Sequence, residues 1–187
     1  MKILVTYSLI FVMLFCKAQE YPLNTFPDDV PTGSYMKDLN NELNQFVGTW
    51  KTNFNNRGIT LIITKEEHKI FKQPKTTDVY YQDVLAINYV IKNSDGILLQ
   101  DNNNVQQEYD KNAIFSMFVN GNVVNCYYMG TNCGVGWGTV NLKKINNTQI
   151  SWTYLPNDIM LTTKNCSGNP DTTIYLPETE NLIFTKQ

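Results

Sequence analysis

From Phe46 to Lys186 the chain is a succession of short runs in which apolar and polar residues alternate, separated by clusters of Asn, Gly and Ser. Alternation with a period of two puts one side of a strand in a dry interior and the other in water. About nine such runs can be read, at 46–54, 59–64, 68–73, 79–91, 97–100, 113–119, 123–129, 138–144 and 150–155, with a last one at 182–186. Between them stand Asn55-Asn56-Arg57-Gly58, Asn93-Ser94-Asp95-Gly96, Asn120-Gly121 and Asn146-Asn147, residues that accept a positive φ and so close hairpins. No helical period intervenes. That excludes parallel βαβ units and predicts an all-β chain built as an antiparallel meander. Closing the meander on itself removes its edges and gives a single up-and-down barrel, with a sandwich as the alternative.

The first run carries the sharpest positional signal. Phe46, Gly48, Trp50 and Phe54 alternate with Val47, Thr49, Lys51 and Asn53, so Trp50 points inward. A glycine weakens a strand unless something must approach it closely. Gly48, two residues before the tryptophan, therefore leaves room for backbone or another side chain. Just upstream, Leu39, Leu43 and Phe46 fall at i, i+4 and i+7 behind Asp38, which predicts one or two helical turns capped by Asp38 and closing one end of the barrel.

The N-terminal part divides in two. Residues 1–18 carry Lys2, an apolar run from Ile3 to Phe15, then Cys16-Lys17-Ala18, the pattern of an export signal. The run is shorter than the roughly 20 apolar residues that span a bilayer. Cleavage after Ala18 would free Gln19, whereas a lipoprotein route would cut before Cys16 and acylate it; both stay open. Residues 19–37 hold Pro22, Pro27, Pro31 and Gly33, a composition for an extended leader. The barrel domain then occupies 38–187.

A short helix, Gly-x-Trp at the start of the first long strand and an antiparallel meander together resemble the lipocalin and fatty-acid-binding superfamily. The leader Tyr21-Pro22-Leu23-Asn24, the segment from Leu39 to Trp50 and the terminal Thr185-Lys186-Gln187 are similar to a domain-of-unknown-function family of small exported proteins from Bacteroidota. The resemblance implies an exported or lipid-anchored envelope protein with a lipocalin-like barrel, and no activity to carry over. In lipocalins a cation from near the last strand stacks on the Gly-x-Trp indole. That implies a structural trio of Gly48, Trp50 and Lys186, whose cation–π contact would contribute roughly 0.5–2 kcal/mol.

Composition excludes several functions. The net charge is −2, and loss of residues 1–18 takes Lys2 and Lys17 with it, leaving 13 bases against 17 acids, or −4. With a single arginine, Arg57, and no basic cluster, nucleic-acid binding and an anionic-membrane patch have no residues to use. The membrane would be reached only through a lipid anchor on Cys16. His68 is the only histidine, too few for an ordinary zinc site, and no cofactor is implied. Gly134, Gly136 and Gly138 are followed by more strand, so they read as a loop and not a dinucleotide site. Cys133 lacks a partner histidine and an orienting third residue, and no acid, base and nucleophile constellation assembles elsewhere, which predicts no enzyme.

Cys133 and Cys166 sit in Gly- and Asn-rich loops while Cys126 alternates inside a strand. This predicts a Cys133–Cys166 disulfide contributing about 3 kcal/mol, with Cys126 a buried free thiol; three reduced cysteines are the alternative. Asp83 falls in the apolar parity of its run, where a carboxylate must be bonded or lie at a rim. The functional expectation is a binding module for a small, largely apolar molecule. Its site is expected at the barrel end opposite Leu39, Leu43 and Phe46, lined by Tyr81, Tyr127, Trp152 and Tyr154. The rival is an interaction module whose barrel is filled by its own side chains.

Overall fold

The computed structural model describes residues 19–72, 78–105 and 110–187. The export segment 1–18 with Cys16, and Gln73 at the end of one expected strand, lie outside the described residues. Eleven strands form one sheet: β1 (Glu20–Pro22), β2 (Tyr35–Lys37), β3 (Gly48–Phe54), β4 (Arg57–Lys72), β5 (Val79–Lys92), β6 (Leu98–Asp101), β7 (Ile114–Asn120), β8 (Val123–Tyr128), β9 (Gly138–Asn146), β10 (Gln149–Pro156) and β11 (Thr179–Lys186). Eight of them, β3, β4, β5, β7, β8, β9, β10 and β11, pair antiparallel in that order, and β11 returns to β3 through Thr185↔Lys51 and Lys186↔Trp50. The meander is thus a closed barrel. Among the described residues no helix is long and apolar enough to cross a membrane.

The expected N-terminal helix is not formed. Its place is taken by turns and a single turn of 3₁₀ helix at Asn44–Phe46. Asn41 adopts φ 56°, which an α-helix cannot propagate through, and Leu39 is 50% exposed. Leu43 and Phe46 are nonetheless fully buried and close the barrel beside Trp50. Asp38 acts as a cap of a different kind: its carboxylate accepts from the Glu42 and Leu43 amides at 2.7 and 3.3 Å and from Lys65 Nζ at 2.9 Å.

Two expected strands, 59–64 and 68–73, are one. β4 runs through the polar stretch Lys65-Glu66-Glu67-His68 by a bulge between Glu66 and Lys69, with His68 at φ 56°. Beyond the bulge β4 and β5 continue as an arm, and the leader adds to it. β1 pairs parallel with β2, and β2 with β5 at Tyr81 and Gln82. Leu23, Val30 and Met36 are buried, so the leader is packed against the domain.

β5 and β7 share only the pair Ala86↔Phe115, and side chains close the rest of that seam. The Asn102 amide accepts from the Tyr89 N–H at 2.6 Å and donates to the Ile87 and Asn112 carbonyls at 3.0 Å each. Asn102 thereby serves as a one-residue substitute for a strand. Ser116 Oγ accepts from the Leu85 N–H at 2.8 Å.

Candidate functional site: the barrel interior and an outer groove

Inside the barrel, apolar side chains from every strand meet. Trp50, Trp152, Tyr89, Tyr128, Tyr154 and Phe184 are all fully buried. Rings touch in a chain, Tyr128 to Tyr154 at 5.8 Å, Tyr154 to Trp152 at 6.3 Å and Trp152 to Phe184 at 5.9 Å. Their polar atoms are used up locally. Trp152 Nε1 donates to the Pro177 carbonyl at 3.0 Å, Tyr154 Oη to the Gly136 carbonyl, and Tyr128 Oη to Asn112 Oδ1 at 3.1 Å. Burial pushes the Tyr128 phenol up to about 12 and raises those of Tyr89 and Tyr154 further.

Both ends are occupied. At one, Trp50 Nε1 donates to the Phe46 carbonyl at 2.7 Å, and the ammonium groups of Lys186 and Lys144 each lie 5.1 Å from the Trp50 ring centroid. A side chain at Gly48 would stand 2.8 Å from Lys186 Cε, so the glycine is what lets the lysine cross the indole. Lys144, at the inward parity of β9 with Val140 and Leu142, also donates to the Gln45 carbonyl at 2.9 Å. Burial, with Lys186 nearby, lowers its pKa.

The opposite end, expected to be open, is covered. Cys133 and Cys166 are bridged, with Cα atoms 5.2 Å apart, and the tethered segment returns Leu176 to the core. At Gly136, φ +73°, a Cβ would meet Ile174 and the Tyr154 hydroxyl at 2.9 Å. The glycine run therefore serves close packing of this cap. Arg57 closes the margin, its guanidinium 5.4 Å from the Tyr175 ring centroid. Cys126 is buried and unbridged, its thiol pKa raised by burial.

The structure separates the four residues expected to line one mouth. Trp152 and Tyr154 belong to the filled interior and its cap. Tyr81 lies on the arm, stacked on His68 at 4.1 Å, with the Tyr35 ring edge-on to the imidazole at 4.6 Å. Tyr127 points outward from β8. Asp83 is buried and bonded, accepting from the Tyr35 hydroxyl and from the backbone N–H groups of Asp38 and His68 at 3.0 Å each; burial and Asp83 together raise the Tyr35 pKa. Among the described residues no three His, Cys, Asp or Glu side chains gather to hold a metal ion.

Tyr127 instead opens onto a groove of about 470 Å³ on the outer wall of the barrel. One side is the outward face of β7 and β8 with Phe115, Met117, Tyr127 and Met129, and the other is the arm with Phe71 and Tyr80. The leader supplies Phe26 and Pro27. Phe71 and Tyr80 stack at 5.4 Å and 13°, Phe26 stacks on Phe118 at 5.2 Å, and Lys69 Nζ lies 4.3 Å from the Phe115 ring centroid. Tyr127, expected at the barrel mouth, faces outward because its neighbours Cys126 and Tyr128 are the buried ones, and the groove needs the arm to fold over β7, a contact between distant segments that no local pattern encodes.

A closed eight-stranded antiparallel barrel, with a cation laid over a Gly-x-Trp indole and its ends stopped by its own segments, is the class of protein defined here, compatible with a lipocalin-like fold. The chain belongs to a family of unknown function, DUF6705, whose model matches residues 1–187. Comparison with curated proteins and with solved structures gives no match.

Proposed function

We propose that this protein is an exported, non-enzymatic binding module that holds a small, largely apolar molecule on the outside of its barrel, in the groove between the arm and β7–β8. The observation that carries this reading is the distribution of aromatic faces. Interior rings are enclosed and pack on one another, while Phe71, Tyr80 and Phe115, themselves nearly buried, border with the part-exposed Tyr127, Met117 and Phe26 a space of about 470 Å³, within the range of roughly 300–1,000 Å³ usual for small-molecule sites. The disulfide supports an oxidising compartment, and the sequence of residues 1–18 supports export. Intact Met1-containing protein in the cytoplasmic fraction would contradict export, and labelled fatty acid recovered on Cys16 would establish the lipid-anchored form.

The test is titration of micromolar protein with fluorescent fatty-acid and retinoid-like probes, beside Met117→Asp, which places a charge in the groove. Saturable binding that the substitution weakens at least about tenfold is expected. No saturable binding, or binding indifferent to Met117→Asp, would sink the reading. A second reading, docking of a protein partner, rests on Ile159, Met160 and Leu161. These are exposed, Met160 to 83%, on a loop stiffened by the disulfide and by Asn165, whose amide bonds the Thr162 N–H at 2.7 Å and the Met160 carbonyl at 2.9 Å.

A further inference from the structure

Besides Lys69 over Phe115, the arm is tied to β7 by the side chain of Gln82. It shares a face of β5 with Tyr80, two residues away, and Nε2 donates to the Met117 carbonyl at 3.1 Å. Both Tyr80 and Met117 line the groove. Gln82 is 1% exposed, and its Oε1 has no donor among the described residues. Its strand is paired on both sides at this level, with Lys69 of β4 and Met36 of β2, which fixes the backbone from which the amide projects. A desolvated acceptor without a donor is unfavourable, and a donor brought to it in a low-dielectric site gains more than one that already had a partner.

Resting on the groove as the binding site, we infer that its ligand is a neutral, flat, apolar molecule carrying one hydroxyl or amide N–H, which it donates to Gln82 Oε1. Neutrality follows from the lining, whose charged residues are Asp28 and Lys72, one of each sign. Flatness follows from a lining rich in aromatic rings, with Phe71 and Tyr80 stacked on each other and Phe115 and Tyr127 on the barrel wall, which accepts an aromatic or planar body better than a branched one. Gln82 itself does not line the groove and its Oε1 is enclosed, so the donor reaches it only as the exposed Met117 side chain gives way.

The experiment is a matched pair of probes, 2-naphthol and 2-methoxynaphthalene, titrated at neutral pH by calorimetry against the full chain and Gln82→Met. They share one aromatic body and differ in the donor. The full chain should bind 2-naphthol about three- to tenfold more tightly, the usual worth of one hydrogen bond, and in Gln82→Met the ratio should fall to about one, whatever the substitution does to both affinities. Equal affinities in the unsubstituted protein would overturn the assignment of the donor and leave the groove standing. A preference that survives Gln82→Met would overturn it too, by placing the donor's partner elsewhere. If neither probe binds, the groove reading itself fails, and this inference with it. If Gln82→Met does not fold, equal affinities in the unsubstituted protein still overturn the assignment, and so do Gln82 side-chain amide signals that saturating 2-naphthol leaves unmoved in an NMR titration; their shift with 2-naphthol and not with 2-methoxynaphthalene is the result expected.

Discussion

The barrel interior and the outer groove are built from the same kinds of residue and differ in what those residues have left to offer. In the interior, Trp152, Tyr154 and Tyr128 each spend their polar atom on the chain and their faces on one another. At the groove, Phe71, Tyr80 and Phe115 are nearly buried but present an edge or face, with the part-exposed Tyr127 and Met117, to a space outside the barrel, and the amide behind them keeps an acceptor without a donor among the described residues. Aromatic content alone thus says nothing about where a ligand sits. The deciding property is whether rings meet across the barrel or face each other across a gap between the barrel and an arm that left it.

Stability measurements should separate the two regions. The largest difference is expected between Trp152→Ala and Tyr127→Ala in denaturant melts. The first deletes a fully buried indole and should cost about 3–5 kcal/mol, the second a half-buried ring on the outer wall and should cost about 1 kcal/mol or less. Equal losses would mean the outer wall is as much core as the interior. Next, replacing both Cys133 and Cys166 by Ser should cost about 3–4 kcal/mol for a separation of 33 residues, because the cap is then held only by packing. Such a variant that also began to bind apolar probes at Trp152 would show that the cap, and not the filling, closes the lumen.

A smaller effect, about 2–3 kcal/mol, should appear in alkali. The folded Tyr128 phenol titrates at about 12 against 10.0 for a free tyrosine, mainly through burial. A group whose folded pKa is raised contributes stability in full below the unfolded value and loses it as pH climbs through the folded one. The barrel should therefore weaken between about pH 10 and pH 12, with Tyr89 and Tyr154 acting in the same direction. Urea midpoints measured across that window, with Tyr128→Phe flattening the slope, check this; a flat profile would mean these hydroxyls reach water.

The barrel was legible because period-two alternation is local and survives in each strand separately. The trio of Gly48, Trp50 and Lys186 came from the resemblance to lipocalins, whereas the parity of β9 held Lys144 beside Val140 and Leu142, where a second cation over the indole went unread. The helix before Phe46 misled because Leu39, Leu43 and Phe46 have helical spacing while Asn41 imposes a left-handed residue among them. The arm hid behind Lys65-Glu66-Glu67-His68, a polar run that resembles a turn and is instead a bulged strand. The leader's strands escaped because Pro22 and Pro31 argue against strand, although Pro22 ends the three-residue edge strand β1, where a proline is tolerated, and Pro31 lies between β1 and β2. The capped mouth and the groove depend on Leu176, Ile174, Phe71 and Tyr80 meeting residues far away in sequence, which alternation cannot report.

The central claim is that the site lies outside the barrel. The most direct measurement is an NMR titration with 2-methoxynaphthalene that follows the methyl signals of Met117 and Met129 together with the indole N–H signals of Trp50 and Trp152. The methyls line the groove and the indoles lie in the interior. Saturable shifts of Met117 and Met129 with both indole signals stationary are predicted. Movement of the Trp50 or Trp152 indoles with the methyls unmoved would place the ligand in the lumen and contradict the account.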